Sequence, residues 1–129
     1  MRTDDFQPAN GGGPRVVVVG PCASGKTTLV AKLTALGVDA RVSGQEHSAV
    51  RNLWRRLEPD VVIALDVDLD TLRARRSPTW PAGLYAVQHG RLQEAFDVAD
   101  VVIDTGTASE DEVLDAALAI IERHAINSG

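Results

Sequence analysis

A run of four valines leads directly into a glycine-rich turn, and this pair of features restricts the fold of the chain more than any other part of the sequence. Val16 to Val19 are four consecutive β-branched residues, which is typical of a strand covered on both faces. The segment GPCASGKT that follows satisfies the spacing G-x-x-x-x-G-K-[ST], whose fixed positions are Gly20, Gly25, Lys26 and Thr27. Apolar residues then recur at helical spacing as far as Leu36, and Gly37 stands where a helix C-cap is expected. The fold therefore begins as strand, tight turn and helix.

This turn has the composition of a phosphate-binding loop, or P-loop. Several backbone N–H groups must point at the phosphates together, and glycines allow that close approach. We expect Lys26 to reach the β- and γ-phosphates of ATP or another nucleoside triphosphate, and Thr27 to place its hydroxyl on a Mg²⁺ ion. The residues expected to bind the nucleotide here are Gly20, Pro21, Cys22, Ala23, Ser24, Gly25, Lys26, Thr27 and Thr28. The alternative is a glycine-rich turn that serves packing alone.

Composition favours a small-molecule partner over nucleic acid or a membrane. The 129 residues suit one domain, and a formal net charge of −5 argues against general nucleic-acid binding. No apolar run approaches the length of a membrane span. A single cysteine cannot form an internal disulfide, so we expect a reducing, cytoplasmic location. Residues 1–14 end in GGGP and are expected to be a disordered leader, with the folded domain at 15–126.

Strand and helix signals alternate along the middle of the chain. Val38 to Ser43 is a candidate second strand, and helical spacing predicts a helix from about Gln45 to Leu57. The run VVIAL predicts a third strand, covered on both faces, that ends at Asp66. Asp68 is placed to cap a helix that continues through Arg76.

The same alternation continues to the end of the chain and defines the fold class. Ser77 to Gly83 contains two prolines and a glycine, which predicts a loop that could act as a short lid. Leu84 to Val98 is expected to be helical, and the run VVID that ends at Asp104 is a fourth strand. Ser109 to Glu112 has the capping-box pattern ahead of a final helix. The predicted class is α/β, a minimal three-layer sandwich with a four-stranded parallel sheet flanked by helices.

Two of these later segments, taken with the P-loop, resemble the small P-loop nucleotide and metabolite kinases of the adenylate kinase-like group. The segment DVVIALDVDLDTLRARR, residues 60–76, resembles their strand, acidic turn and arginine-bearing helix that leads into the lid. The segment ADVVIDTGTASEDEV, residues 99–113, is similar to the last strand and helix of dephospho-CoA kinase-like and thymidylate kinase-like enzymes. The resemblance implies a P-loop NTPase fold with a short lid around 77–83.

The resemblance also implies roles for arginines near the lid. In such kinases these arginines stack on the adenine ring or clamp the transferring phosphoryl group. The matching positions are Arg73, Arg75, Arg76 and, past the lid, Arg91. Arg75 and Arg76 are thus expected to join Lys26 in catalysis and Arg73 to contact the nucleotide, while residues 105–107 (TGT) follow the last strand where the base commonly rests. The alternatives are a solvated helix end and a plain loop.

Two carboxylates are candidates for the acidic partner of the expected Mg²⁺ ion. Full kinases of this group have five core strands, and a middle strand carries the acidic Walker B residue, whereas this sequence predicts four strands. Asp66 follows the apolar run VVIAL and so satisfies the simple pattern of a carboxylate at a strand's carboxyl end. Alignment with the family assigns the role to Glu46 instead. Asp66 is the preferred metal ligand together with Thr27.

The segment SGQEHS, residues 43–48, is the candidate acceptor site. It follows the carboxyl end of a strand, the edge where ligands of open α/β sheets bind. We expect its polar side chains to orient a hydroxyl or a water, and two arginines one helical turn apart, Arg51 and Arg55, to hold an anionic acceptor. The acceptor candidates are Gln45, Glu46, His47 and Arg51. The alternative is a polar helix start followed by a solvated basic face.

Three functions are consistent with these residues. The first is a small-molecule kinase that transfers the γ-phosphoryl group of ATP with Mg²⁺. The second is a regulatory module that binds or hydrolyses a nucleoside triphosphate without a dedicated acceptor, and the third is a fold that retains the loop without turnover.

Overall fold

The four apolar runs of the sequence form the strands of a single sheet in this computed structural model, which describes residues 13–128. Among these residues the strands are β1 Arg15–Val19, β2 Asp39–Val42, β3 Val61–Asp66 and β4 Val101–Asp104. Every neighbouring pair is parallel, and the strand order is β2-β1-β3-β4. The predicted α/β class with a four-stranded parallel sheet is therefore confirmed. Most of the predicted leader, residues 1–12, lies outside the described residues.

Four α-helices accompany the sheet within the described residues: α1 Lys26–Ala35, α2 Leu69–Arg75, α3 Ala82–Val98 and α4 Glu110–Ser128. Helices α1 and α4 pack on one face of the sheet, through a core that includes Leu29, Leu33, Val113, Ala117 and Ile121. The other face is covered by α3 and by a 3₁₀ helix at Leu53–Leu57, through Trp54, Leu92 and Ala95. Because both faces are covered, nearly all residues of β1 and β3 are buried. The result is the predicted three-layer sandwich.

The helix ends confirm three capping predictions. Gly37 adopts φ 90° after α1 and donates its N–H to a carbonyl of the last turn at 3.0 Å. Asp68 Oδ1 accepts the Thr71 N–H at 2.7 Å at the start of α2. Before α4, the Ser109 hydroxyl accepts the Glu112 N–H at 3.1 Å, and the Glu112 carboxylate accepts the Ser109 N–H at 2.8 Å. These local signals determine where the three helices begin or end.

The predicted helix from Gln45 to Leu57 is wrong. The chain there forms two short 3₁₀ segments, the first of which is Gln45–His47, with turn and extended residues between them. The buried side chain of Gln45 interrupts the helix, since its Nε2 donates to Val50 O at 2.7 Å and its Oε1 accepts the Trp54 N–H at 3.1 Å. These bonds replace main-chain hydrogen bonds of a continuous helix. Trp54 is buried, whereas Val50, which a continuous helix would place on the same face one turn earlier, is exposed.

The loop predicted for Ser77 to Gly83 is shorter than expected. Ala82 and Gly83 belong to α3, which begins two residues earlier than predicted. Pro81, with φ −65°, is the N-cap of this helix, and its carbonyl accepts an N–H of the first turn at 3.1 Å. The fixed φ of proline suits this helix start. A lid role for residues 77–81 stays a prediction.

The parallel arrangement brings the carboxyl ends of the four strands to one edge of the sheet. The register shows this directly, because Val19 of β1 pairs with Ala64 of β3, and Asp66 of β3 pairs with Asp104 of β4. The loops that follow the strands therefore meet at this edge, which is where open α/β sheets bind their ligands.

Candidate functional site

Gly20 and Gly25 give the loop between β1 and α1 its shape. A Cβ atom on Gly20 would lie 2.6 Å from Leu65 O and 2.6 Å from Ser24 Oγ, so no side chain fits there. Gly25 is the N-cap of α1 and has φ 97°, a left-handed conformation that glycine adopts without strain. The loop therefore folds tightly against the end of β3 and turns directly into α1, as the glycine spacing predicts.

Lys26 folds back over this loop and is almost fully buried. Its Nζ donates to Gly20 O at 2.8 Å and to Pro21 O at 3.1 Å. The same Nζ lies 2.8 Å from Oε2 of Glu46, and the two side chains are 9% and 4% exposed. Glu46 reaches this position because β2 lies beside β1 and is followed by the 3₁₀ segment Gln45–His47. One carboxylate and two carbonyls thus hold the Lys26 ammonium at the base of the loop.

Glu46 retains one carboxylate oxygen that could bind a further group. Its Oε1 is buried and has no hydrogen-bond partner within residues 13–128. A buried polar atom without a protein partner is costly, and an ordered water, a bound ion or a catalytic role commonly accounts for one. Glu46 therefore combines an ion pair with Lys26 through Oε2 and an unpartnered oxygen, Oε1.

Two cavities adjoin the loop and share part of its wall. The first has a volume of about 390 Å³ and is lined by Ala23, Ser24, Gly25, Thr28, Leu29, Lys32, Arg75, Arg76, Thr105, Ala108, Glu110 and Val113. The second has a volume of about 410 Å³ and is lined by Cys22, Ala23, Gly25, Lys26, Thr27, Thr28, Val42, Gly44, Glu46, His47 and Arg76. Both fall in the usual size range of small-molecule sites. Of residues 105–107, which were expected to lie beside the nucleotide base, Thr105 lines the first cavity, whereas Gly106 and Thr107 do not.

The three arginines before the loop at 77–81 take different positions. Arg75 Nη1 donates to Ala23 O at 2.8 Å, and its Nη2 donates to Thr105 O at 2.6 Å. Arg75 therefore braces the glycine-rich loop against the segment after β4. Arg76 lines both cavities. Arg73 lines neither cavity, and its Nε donates at 2.9 Å to a carbonyl of the loop that joins α2 to α3.

Asp66 lies in a separate polar cluster. Its Oδ1 accepts the Val67 N–H at 2.9 Å and lies 3.0 Å from Nε2 of His89, whose ring contacts that of Tyr85. Partial burial, together with the negative charges of Asp66 and Asp68, raises the pKa of the Tyr85 hydroxyl. That hydroxyl donates to Val67 O at 2.8 Å. Asp66 is thus engaged with His89 and does not line either cavity.

The candidate acceptor segment is only partly at a cavity. Glu46 and His47 line the second cavity, whereas the fully buried Gln45 supports the local backbone. Arg51 Nη1 donates to a carbonyl of α3 at 2.9 Å, away from both linings. The prediction that Arg51 and Arg55 share one helix face is wrong, because that helix does not form.

Gln88 is a site residue that the sequence did not reveal. It is 2% exposed, its Oε1 accepts the Cys22 N–H at 3.2 Å, and its Nε2 lies 3.4 Å from Cys22 Sγ. Gln88 therefore orients both the backbone and the thiol of Cys22. Its one signal in the sequence is a polar residue four positions before Leu92, on the side of α3 that faces the sheet. Arg91 also contributes, since its Nη1 donates to Glu46 O at 3.3 Å.

No protein-family model, curated protein or solved structure matches the chain. Among the helices of residues 13–128, none combines the length and the hydropathy that crossing a membrane requires. Function must therefore be inferred from the loop and its two cavities.

Proposed function

We propose that the protein binds ATP with Mg²⁺ and transfers the γ-phosphoryl group to a small-molecule acceptor. The observation that carries this proposal is the loop from Gly20 to Thr27, which combines a tight glycine turn, a buried Lys26 and two adjoining cavities. The glycines let phosphate oxygens approach the backbone, and the N-terminus of α1 adds partial positive charge there. The single cysteine is in keeping with a cytoplasmic setting.

The first cavity is proposed to hold the nucleoside. Its wall combines the apolar side chains of Leu29 and Val113 with the polar Thr105. Flat heteroaromatic groups bind well in such a mostly apolar site with a few polar contacts. The guanidinium group of Arg75 at the same wall could stack on a base while its N–H groups hold the backbone carbonyls.

Lys26 and Arg76 are proposed to stabilise the charge on the phosphates. Phosphoryl transfer depends mainly on positioning and on positive charge around the transferring group. Arg76 lines both cavities, so it lies where a donor in the first would meet an acceptor in the second. Arg75 is better assigned to positioning than to catalysis, because its Nη1 and Nη2 already donate to backbone carbonyls.

Thr27 and Glu46 fit a Mg²⁺ ion. Both line the second cavity, and the buried Oε1 of Glu46 has no partner among the described residues. Magnesium prefers oxygen ligands and retains several waters, so the Thr27 hydroxyl would bind directly and Glu46 through water. The bound ion would offset the negative charge of the phosphates. We propose Glu46 for this role in preference to Asp66, which is engaged with His89.

The second cavity is proposed to take the acceptor. A hydroxyl or phosphate acceptor there would lie against Lys26 and Thr27, next to the phosphate end of the loop. His47 is a candidate proton acceptor, since its exposed side chain lines the same cavity. This arrangement favours a kinase over a module that only binds or hydrolyses a nucleotide.

Turnover measurements separate these functions. ADP formation from ATP and Mg²⁺ would be followed with and without a panel of nucleoside, nucleotide and cofactor-precursor acceptors. We expect ADP formation that depends on one acceptor and is abolished by Lys26→Ala. Arg41→Ala, a charge removal at an exposed position of β2, should leave the rate within about twofold. If ATP binds tightly but no acceptor increases the rate of ADP formation, the kinase proposal would be rejected in favour of the regulatory module.

A further inference from the structure

The glycine-rich loop and the 3₁₀ segment after β2 bring three metal-ligating side chains together. Cys22, Glu46 and His47 each offer one ligand atom, and these atoms lie within 4.8 Å of one another. We infer that the three residues form a binding site for a thiophilic divalent cation such as Zn²⁺. The site shares Glu46 with the Mg²⁺ ion proposed above, so the two cations would exclude one another, and Zn²⁺ binding is expected of the chain without nucleotide.

The carboxylate of Glu46 supplies an independent reason for a cation. Glu46 is 3% exposed, and its Oε1 has no hydrogen-bond partner within the part of the chain that the structure describes. Its other oxygen, Oε2, lies 2.8 Å from Lys26 Nζ and 3.4 Å from His47 Nε2. Leaving a buried anionic oxygen unsatisfied is costly. A cation bound to Oε1 would satisfy it while Oε2 keeps its contact with Lys26.

The separation of the three ligand atoms suits tetrahedral coordination. Zinc binds sulfur at about 2.3 Å and nitrogen or oxygen at about 2.0–2.2 Å, which places tetrahedral ligand atoms roughly 3.3–3.8 Å apart. Ligand atoms within 4.8 Å of one another therefore need to approach by no more than about 1.5 Å. Rotation of the His47 side chain, which is 65% exposed, can supply the part of that movement that involves His47.

The chemistry of Cys22 and His47 selects the metal. Thiolate and imidazole ligands favour Zn²⁺ over Mg²⁺ or Ca²⁺. Gln88 Nε2 lies 3.4 Å from Cys22 Sγ, so a second residue already orients the thiol. When the metal binds, the thiol proton leaves to solvent and a thiolate–metal bond forms. Three protein ligands leave one position open, on the side of the second cavity, for water or a substrate oxygen.

Cobalt substitution of the full chain tests the site. Metal-stripped protein would be titrated with Co²⁺, and we expect one equivalent to bind with thiolate-to-cobalt charge-transfer absorption and the intense visible bands of tetrahedral cobalt. Zn²⁺ should displace it. Cys22→Ser should lose the charge-transfer band, and His47→Ala should weaken Zn²⁺ binding by more than about tenfold. His124→Ala, a matched histidine change on α4, should leave Zn²⁺ affinity within about twofold.

Two results would overturn the inference. One is the absence of thiolate-to-cobalt absorption in folded wild-type protein, and the other is unchanged Zn²⁺ affinity in His47→Ala. Circular dichroism without metal would check that each variant is folded, and the exposure of His47 makes its replacement a mild change. Because no nucleotide is present, failure of this test is distinct from failure of the proposed kinase activity.

Discussion

Lys26 Nζ and Glu46 Oε2 lie 2.8 Å apart in an ion pair whose side chains are 9% and 4% exposed. Lys26 also donates to Gly20 O and Pro21 O, so its ammonium has three acceptors in the structure. Phosphate oxygens of the proposed nucleotide would compete with those acceptors for the ammonium. The ion pair would therefore link the proposed nucleotide affinity to the charge of Glu46.

Replacing Glu46 by Gln should tighten Mg²⁺-free nucleotide binding by about threefold to tenfold, because a neutral amide holds the Lys26 ammonium less strongly than a carboxylate does. The gain in affinity on adding Mg²⁺ should shrink, since the variant lacks the proposed acidic partner of the ion. Titration calorimetry with and without Mg²⁺ measures both quantities. Glu94→Gln, at a half-buried position on α3, is the matched control. Weaker Mg²⁺-free binding in Glu46→Gln would argue against this competition.

Gly20→Ala should destabilise the protein by about 1–3 kcal/mol, because the added Cβ meets Leu65 O and Ser24 Oγ at 2.6 Å. Gly90→Ala is the control, since a Cβ there meets nothing within 4 Å. Gly90 lies inside α3, so alanine should stabilise the protein by about 0.5–1 kcal/mol. Urea unfolding measures both changes. Equal stability of the two variants would mean that the loop does not pack against β3 as described.

Arg75→Ala and Arg76→Ala should impair different properties of the protein. Loss of the Arg75 bonds to Ala23 O and Thr105 O should lower stability by about 0.5–1.5 kcal/mol and weaken nucleotide binding. Arg76→Ala should leave stability unchanged within about 0.5 kcal/mol and lower kcat more than affinity. Chemical denaturation and steady-state kinetics on both variants make the comparison. A kcat loss confined to Arg75→Ala would reverse the two assignments.

Asp68 should make the start of α2 sensitive to acid. Its carboxylate accepts the Thr71 N–H, and this bond lowers the pKa of Asp68 below the ordinary value of 3.8. The cap therefore stabilises the fold fully above pH 3.8, and this contribution is lost as the pH falls through the lower folded-state pKa. The Tm difference between wild type and Asp68→Ala should be constant near neutral pH and should shrink in stronger acid.

Thermal denaturation over a pH series measures the Asp68 effect. Asp115→Ala, at an exposed position inside α4, should show no comparable loss at neutral pH. A Tm difference for Asp68→Ala that persists unchanged in acid would mean that the charged cap is not its source.

Local sequence signals predicted the strands, most helices and the caps because each depends on neighbouring residues. The valine run, the glycine spacing of the loop and the Ser109 capping box are all of this kind. The helix predicted from Gln45 to Leu57 was wrong. The apolar spacing of this segment fits a helix, but one buried side chain decides the backbone conformation that it adopts. Gln45 bonds to Val50 and Trp54, and the pattern of apolar residues carries no information about those bonds.

The candidate site was predictable only where its residues are adjacent in sequence. The loop from Gly20 to Thr27 could be identified from spacing alone. The contact of Lys26 with Glu46 depends on β2 lying beside β1, and short-range residue patterns do not predict the order of strands in a sheet. The pattern of an apolar strand followed by a carboxylate pointed to Asp66, but in the structure Asp66 contacts His89 and lines neither cavity.

Nucleotide binding by Lys26→Ala tests the central proposal most directly. Titration calorimetry with Mg²⁺ and a non-hydrolysable ATP analogue should give one site on the wild-type chain. Affinity should fall by about 10- to 100-fold in Lys26→Ala, because charge-assisted bonds to the phosphates are lost, and should hold in Arg41→Ala. Equal affinity of the wild type and a folded Lys26→Ala variant would contradict phosphate binding at this loop.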